Sequence, residues 1–555
     1  MSRRVAALGF VFLAAVPLRA ADPEADLAAR IDAHIAAKLR AANVVPAPLA
    51  SDAEFLRRVS LDLAGRIPSV AEAIAFFADP APNKRRRLVE RLVQDPRHVE
   101  HFTNVWRALL VPEYAANPDL QFQAAGIDAW LRKQLADNVS YDRFARDLLT
   151  VPFAPERVRG KAMKMEEPRS ANDPSPQAFY VAKEGKPEAL AAATARVFLG
   201  VRIECAQCHD HPNAPWTRQQ FWGYAAFFAG LARPAEQGAA IREVFDKREM
   251  TIPGSGQVVD AAYLDGSEPQ WRFNVSSRVT LAEWVTSPEN PYFAKAAVNR
   301  LWAHLFGTGL VSPEDDLRPD NAASHPELLD ELARAFVAHK FDVRFLIRAI
   351  TATEAYQRSS AVQAHGQRPA GDVDSRLFAR MAVKRLTPEQ LFDSLAQATG
   401  YREPVRGPGD GDVVNLGRGG PRAQFLALFA NGAATRTDPQ LSIPQALGLM
   451  NGGFVVGALT TNRPSLTDFV KQVAAERAVP GGPTFLPAVA NDPSLNTAGR
   501  VERLFLATLT RRPTAAESEK LVRYVEGGGP AHDAKRALAD VYWALLNSAE
   551  FLVNH

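Results

Sequence analysis

The sequence predicts a mainly α-helical protein, with two helical domains and a small β insertion between them. Candidate helix starts recur along the chain as a Ser or Thr followed three residues later by Glu or Gln, at Ser51, Ser69, Ser324, Thr387 and Thr514. Such pairs satisfy the free backbone donors of a first helical turn. Apolar residues then recur at helical spacing, whereas strict alternation is scarce. A hydrophobic content of 47% in 555 residues is enough for well-buried cores.

The first element, residues 1–21, is predicted to be a secretory signal peptide. A basic start at Arg3-Arg4 precedes the 12 apolar residues Val5–Val16, and small residues follow. This apolar run is too short to cross a bilayer as a helix. We therefore expect an exported protein, periplasmic or extracellular, whose mature chain begins near Ala21 or Asp22.

Export also changes the charge of the chain. Arg3, Arg4 and Arg19 are the only charged residues of the signal, so their removal lowers the formal net charge from +3 to zero. A neutral mature chain argues against nucleic acid as the main partner. No later uncharged apolar run reaches the roughly 18 residues of a membrane-spanning helix, so no transmembrane segment is expected in the mature chain.

The domain organisation follows from where the helical signals are dense. The first helical domain is expected over residues 28–230 and the second over 278–555, with a linker at 231–277 between them. The linker holds the best strand candidates, which are Glu249–Ile252, Gln257–Val259 and Gln270–Val275. Two stretches rich in charge, Pro or Gly are expected to be surface loops, and these are residues 153–186 and 401–422.

The two cysteines of the chain both lie in one pentapeptide, Cys205-Ala206-Gln207-Cys208-His209. C-x-x-C-H is the attachment signature of c-type haem, in which both thiols bond to the porphyrin and the His supplies an axial nitrogen. Cys205 and Cys208 would share one face of a helical turn. Met250, 41 residues after His209, is the best candidate for the second axial ligand. The sequence thus predicts haem c at Cys205, Cys208 and His209, with Met250 completing the iron coordination.

The segments on either side of the pentapeptide fit this prediction. A helix that begins near Pro187 is expected to end at Gly200, just before the cysteines, and Pro212 is expected to end the turn. An aromatic run follows at residues 216–228. Its rings either wall a porphyrin edge or belong to an ordinary core, and the core interpretation is the favoured one.

Several stretches resemble a known pair of bacterial domains. FLRRVSLDLAGRIP at 55–68 and CAQCHDHP at 205–212 resemble the planctomycete cytochrome-c-associated domain, domain of unknown function 1549. Its usual C-terminal companion, domain of unknown function 1553, is resembled by NPYFAKAAVNRLW at 290–302, FGTGLV at 306–311, PQALGLMN at 444–451 and LNSAEF at 546–551. The resemblance implies an exported bacterial protein without an assigned biochemical role.

This chain also departs from the family pattern. A separate cytochrome-c domain often precedes the pair, and residues 22–50 leave no room for one. Some relatives carry a cysteine cluster where this chain has AATR at 433–436, so no metal role is expected there. The leading hypothesis is a haem-c protein that acts in extracytoplasmic electron transfer with an unidentified redox or exported partner.

Two other interpretations of the pentapeptide stay open. In a non-redox binding or scaffold protein, Cys205 and Cys208 would form a structural disulfide, and a redox-active disulfide is a variant of this reading. Alternatively the cysteines would hold zinc with His209 and His211, although structural zinc sites usually take ligands from two separated pairs. Haem c, zinc or no cofactor are therefore the alternatives.

Two polar clusters lie outside the pentapeptide. Arg57, Arg58 and Asp62 on one predicted helix are expected to form an ion-pair network within the first domain. Asp315 and Asp316 would support hydrolysis if other polar residues joined them, and the candidates are Asn299, Arg300, His304 and His325. Adjacent Asp residues more often cap a loop. A hydrolase is thus the third function that the sequence leaves open, and whether the protein is an enzyme is undecided.

Overall fold

The computed structural model describes residues 22–116, 124–155, 174–212, 214–232, 241–361, 374–402, 421–429 and 484–555. Of these residues 59% are helical, which confirms the mainly α prediction. The predicted signal peptide and most of the predicted loops at 153–186 and 401–422 lie outside the described residues. Within the described ranges, no helix combines the length and apolar character needed to span a bilayer.

Helices dominate the part of the chain that precedes the linker. They are α1 (Pro23–Ala41), α2 (Asp52–Ala64), α3 (Val70–Ala78), α4 (Lys84–Gln94), α5 (Pro96–Leu110), α6 (Glu113–Ala116), α7 (Ala124–Ala136), α8 (Tyr141–Leu149), α9 (Gln177–Ala182), α10 (Pro187–Thr194) and α11 (Arg218–Ala225). A π-helical turn at Ala195–Leu199 continues α10, and short 3₁₀ turns follow at Glu204–Gln207 and Ala226–Phe228.

The part after the linker is also helical. Its helices are α12 (Ser277–Val285), α13 (Phe293–Phe306), α14 (Pro326–Ala338), α15 (Val343–Ala352), α16 (Glu354–Gln357), α17 (Pro388–Thr399), α18 (Pro421–Phe429), α19 (Phe485–Ala490), α20 (Thr497–Thr508), α21 (Ala515–Glu526) and α22 (Ala534–Leu546). Short 3₁₀ turns lie at Ser375–Leu377 and Gly529–Ala531.

The β structure consists of short strands. They are β1 (Ala154–Pro155), β2 (Leu231–Ala232), β3 (Arg242–Glu243), β4 (Glu249–Thr251), β5 (Val258–Asp260), β6 (Lys384–Arg385) and β7 (Val553–Asn554). In one sheet β3 lies between β1, which is parallel to it, and the antiparallel β2. The pairs β4–β5 and β6–β7 are antiparallel. The expected β insertion is therefore present, and β4 and β5 coincide with two of the predicted strands.

The third predicted strand, Gln270–Val275, is wrong. This segment is a loop, in which Phe273 is 99% exposed and Asn274 has a positive φ of 55°. Its apolar and polar residues do not alternate between a buried and an exposed face, so a strand would gain nothing from pairing here.

The predicted helix starts are mostly confirmed. Ser69, Thr387 and Thr514 each form a complete capping box with the residue three positions on. Ser51 caps α2, but the Glu54 carboxylate bonds to Arg58 instead of returning to the cap. Ser324 does not cap α14, because the helix begins one residue later than the pattern requires, with His325 at its N-cap.

The apolar packing crosses the predicted linker. The larger core gathers residues between Leu27 and Met381 together with Leu506, and it contains residues from helices of both predicted domains. For example, α1 packs against α15, and the π turn packs against α13. A second core gathers residues between Leu386 and Phe551 together with Leu61 and Ile67. Removing either predicted domain would therefore expose apolar surface of the other, while the boundaries at 28–230 and 278–555 stay a prediction.

The ion-pair network on α2 also joins the two halves, so its assignment to a single domain is wrong. The Asp62 carboxylate is fully buried and accepts hydrogen bonds from Lys384 Nζ at 2.6 Å, Asn554 Nδ2 at 2.8 Å and Tyr356 Oη at 2.9 Å. Arg57 donates to the carbonyl groups of Thr508 and Phe551, both at 2.9 Å. Nothing near α2 in sequence signals these partners.

Candidate functional site

The cysteine pentapeptide begins where the chain leaves α10 and its π turn. Gly200 ends this helix with a positive φ of 65°, as predicted. A Cβ at Gly200 would lie 2.9 Å from Leu317 Cδ1 and 3.0 Å from Ala296 Cβ, so only glycine fits without displacement. The Gly200 carbonyl accepts from the backbone N–H of Leu317 at 2.8 Å.

A charged side chain from α13 fixes the same helix end. Arg300 donates to the carbonyl of Val197 at 2.6 Å and to that of Arg196 at 3.1 Å. These carbonyls are left without intrahelical partners at a helix C-terminus, where a cation is also favoured by the helix dipole. The segment that leads into Cys205 is therefore positioned by residues from beyond the linker.

The pentapeptide itself forms a 3₁₀ turn over Glu204–Gln207 that ends at Cys208. In such a turn residues i and i+3 lie one above the other, so Cys205 and Cys208 share one side, as expected. Both are exposed free thiols. Ala206 between them is fully buried and fixes the turn to the core.

A second set of contacts fixes the turn to α11. The Gln207 carbonyl accepts from Trp222 Nε1 at 3.0 Å and from Arg218 Nε at 3.4 Å. The Asp210 carboxylate accepts from the backbone N–H of Arg218 at 2.8 Å. Because Trp222 is buried, the backbone of the turn is held rigidly while its two sulfur atoms face solvent.

The geometry of His209 determines which ring nitrogen is available. His209 Nδ1 lies 2.8 Å from the Asp210 carbonyl oxygen. A carbonyl oxygen only accepts, so Nδ1 carries the proton, and in the neutral ring Nε2 keeps its lone pair. His209 is exposed. This is the arrangement in which a histidine binds a metal through Nε2 while a backbone carbonyl fixes its tautomer.

Met250 lies in β4, opposite Val259 in β5. The β4–β5 hairpin packs against α11, and Arg218 donates to the Pro253 carbonyl within it. The hairpin and the cysteine turn therefore lie against the same helix. The Met250 side chain is half-buried and packs against the larger core, so its role as an axial ligand stays a prediction.

The aromatic run after the pentapeptide belongs to the core, as favoured. Its six rings are at most 5% exposed, and they are Trp216, Phe221, Trp222, Tyr224, Phe227 and Phe228. These residues support the site from beneath and do not offer a surface for a porphyrin.

The candidate hydrolase residues are not assembled into a site. Asn299 is buried and exchanges hydrogen bonds with the backbone of Val311 at 2.9 Å. His304 contacts the Asp62 carbonyl at 2.9 Å, and Asp315 accepts from Arg202 Nε at 2.9 Å. Asp316 pairs with Arg318, while His325 contacts Ser324 and has its pKa lowered to about 4 by burial.

The described residues do not assemble a zinc site around the cysteines either. Among the described residues, no group of three or more His, Cys, Asp or Glu side chains is arranged to hold a metal ion. His211 uses its backbone N–H to bond the Trp216 carbonyl at 2.8 Å, which closes the loop after His209.

The contacts that Asp210, Arg218 and Trp222 make to support the turn were not predicted from the sequence. One signal for them was present, because Thr217 and Gln220 form a complete capping box that begins α11. That box places Arg218 at the first turn of the helix, next to the pentapeptide. No local sequence pattern signals the hydrogen bond from Trp222 to the Gln207 carbonyl.

Comparison with known families agrees with the motifs. Residues 30–233 match the PSCyt2 model, described as a protein of unknown function (DUF1549). Residues 277–413 match the PSD1 model, described as a protein of unknown function (DUF1553). The chain therefore carries this domain pair, in the order that its motifs resemble. No curated protein and no solved structure matches the chain.

Proposed function

We propose that this protein carries haem c covalently at Cys205 and Cys208, with His209 as an axial ligand, and that it acts in electron transfer outside the cytoplasm. The observation that carries the proposal is the geometry of one turn. Two exposed free thiols lie on one side of it, and the next residue is a histidine whose Nδ1–H is bonded to a carbonyl.

The residues present fit the chemistry of attachment. Each thiol would add across one vinyl group, so that a carbon–sulfur bond forms and the thiol hydrogen passes to the neighbouring vinyl carbon. Haem bound in this way would supply an iron centre that changes oxidation state by one electron. The chain's own part is to hold both sulfur atoms on one side, which the buried Ala206 and the bonds to Gln207 achieve.

The zinc alternative has less support. A structural zinc site takes four ligands, and the described residues hold no cluster of three candidate side chains. Covalent haem needs only the two thiols and one imidazole from this segment. A disulfide-bonded scaffold protein stays the second candidate, because it requires nothing beyond Cys205 and Cys208.

Export is part of the proposal, since c-type haem is attached outside the cytoplasm. Cleavage near Ala21 or Asp22 would leave Asp22 or its neighbour at the start of the mature chain. Asp22 is the N-cap of α1 and accepts from the backbone N–H of Ala25 at 3.2 Å. N-terminal sequencing of the exported protein tests this point, and a mature protein that retains Arg3 and Arg4 would contradict it.

The experiment expresses the full chain in a bacterial host that has c-type haem attachment machinery. We expect a Soret band and a haem stain that survives denaturing electrophoresis. Cys205→Ser and Cys208→Ser should each leave one thioether and shift the visible bands, and the double variant should lose the stain. His209→Ala should change the axial-ligand spectrum, whereas the control His532→Asn, an exposed histidine remote in sequence, should not.

Met250→Ala separates the axial-ligand question from attachment. If Met250 binds the iron, the variant keeps the haem stain and changes only the signature of the second axial ligand. Intact mass distinguishes the alternatives, because a disulfide appears as the loss of two hydrogens and zinc is released on denaturation. An unmodified chain in the haem-attaching host contradicts the proposal.

A further inference from the structure

A positively charged side chain lies directly beside the cysteine turn. Arg218 Nε donates to the carbonyl of Gln207 at 3.4 Å, and its Nη2 donates to the carbonyl of Pro253 in the β4–β5 hairpin. The Gln207 carbonyl belongs to the peptide bond that enters Cys208. The guanidinium group is therefore held between the backbone of the second cysteine and the hairpin that carries Met250.

This guanidinium group has no carboxylate partner in the described part of the chain. Its hydrogen bonds go to carbonyl oxygens, which carry no net charge. Arg202, three residues before the pentapeptide, differs from it, because the Asp315 carboxylate accepts from Arg202 Nε at 2.9 Å. Arg218 is half-buried, and salt screens a partly buried charge less than an exposed one. The positive charge of Arg218 therefore acts on the turn without an ion-pair partner to offset it.

A negative charge is fixed on the same segment. Asp210 is exposed, and its carboxylate accepts from the backbone N–H of Arg218 at 2.8 Å. Asp210 also follows His209 directly, and its own carbonyl oxygen lies 2.8 Å from His209 Nδ1. A cation beside Cys208 and an anion beside His209 thus flank the part of the turn where the iron of a bound haem would lie.

We propose that Arg218 sets the reduction potential of haem at this turn, its positive charge favouring the reduced iron while Asp210 opposes it. This inference rests on the proposed function, because it requires haem at Cys205 and Cys208. Ferric haem carries one more positive charge than ferrous haem, so a nearby cation disfavours the oxidised form and raises the potential. A unit charge roughly 10 Å from a redox centre near a protein surface changes the equilibrium between the two forms on the order of twofold to tenfold.

The test measures the midpoint potential of the haem-loaded exported protein by a spectroscopic redox titration. Arg218→Gln removes the charge and should make reduction about threefold less favourable or more, which lowers the potential by about 28 mV at about 59 mV per tenfold. Arg218→Lys keeps the charge but loses the planar fork of the guanidinium group, and it should keep most of the wild-type potential. If Arg218 only supported the fold of the turn, both substitutions would lower the potential alike.

Two further variants test whether charge is the cause. Asp210→Asn keeps an oxygen that can accept from the Arg218 N–H and removes the negative charge, so it should raise the potential. The control Arg202→Gln/Asp315→Asn removes an ion pair and leaves the net charge unchanged, so it should shift the potential far less than Arg218→Gln does. Added salt should reduce the opposite shifts of Arg218→Gln and Asp210→Asn.

The outcomes separate this inference from the proposed function. The role of Arg218 is overturned if Arg218→Gln does not lower the potential, if Arg218→Lys lowers it equally, or if Asp210→Asn lowers it as well. Each of these results is obtained on haem-loaded protein and leaves the haem proposal standing. A wild-type protein that carries no haem contradicts both.

Discussion

Replacing the buried carboxylate at Asp62 should destabilise the protein far more than replacing any exposed acid. Asp62 accepts three hydrogen bonds, and the side chain of its partner Lys384 is 1% exposed. In Asp62→Leu the Lys384 ammonium keeps its carbonyl acceptors but loses its carboxylate. Removing one partner of a buried ion pair costs about 3–5 kcal/mol.

The size of the effect can be bracketed by two single substitutions. Tyr356→Phe removes one hydrogen bond to the carboxylate, at 2.9 Å, which should cost about 1.5–3 kcal/mol. Glu519→Gln breaks the exposed pair with Arg523, whose side chains are 73% and 76% exposed, and should cost less than about 0.5 kcal/mol. Urea unfolding followed by circular dichroism gives all three free energies of unfolding.

A double variant tests whether the unpaired Lys384 charge causes the loss of stability in Asp62→Leu. Asp62→Leu combined with Lys384→Met removes the uncompensated charge along with its partner, so it should be more stable than Asp62→Leu alone. Additive destabilisation, or a loss at Asp62 no larger than the loss at Glu519, would refute the account of this network.

The remaining predictions concern the core, the glycine before the cysteines and pH. A fragment of residues 22–276 should be unfolded or aggregated in circular dichroism and gel filtration, because the larger core also needs residues up to Met381; a cooperative, monomeric fragment would show that the first domain folds alone. Gly200→Ala should cost about 1–3 kcal/mol, since strain at its positive φ adds to close contacts with Leu317 and Ala296. The control is Gly254→Ala, because Gly254 has a φ of +77° and a Cβ there would have no neighbour within 4 Å, so this variant should show only the backbone strain. Equal losses of stability in the two variants would show that the contacts with Leu317 and Ala296 contribute nothing. Burial lowers the pKa of His98 to about 4. As the pH falls, His98 is therefore protonated in the unfolded chain before it is protonated in the folded protein. The free energy of unfolding should fall as pH drops from about 6.5 to about 4, by about 3 kcal/mol for this residue. His98→Gln should flatten that part of the plot of stability against pH, and an unchanged plot would contradict the lowered pKa of His98.

Local patterns in the sequence were sufficient to predict local structure. Capping boxes at Ser69, Thr387 and Thr514 begin helices as expected because both bonding partners lie within one turn. The C-x-x-C spacing likewise predicted two cysteines on one side of a turn, which the 3₁₀ geometry confirms. Where a local signal failed, as at Gln270–Val275, the segment had no partner strand to stabilise it.

Long-range packing could not be predicted from the same patterns. Lys384 is 322 positions from Asp62, and Asn554 is 492 positions away, so no periodicity links them. For the same reason the network was wrongly assigned to one domain. The tautomer of His209 and the support from Trp222 also depend on three-dimensional contacts, whereas the choice of His209 as the proposed axial ligand follows from the motif alone.

The visible spectrum and intact mass of the exported protein test the central claim most directly. The host must attach c-type haem, and the wild type is compared with the Cys205→Ser/Cys208→Ser variant. We predict a Soret band and a mass increase of one haem in the wild type, and neither in the variant. A colourless wild-type protein of unmodified mass, obtained while a control cytochrome from the same host carries haem, would contradict the claim.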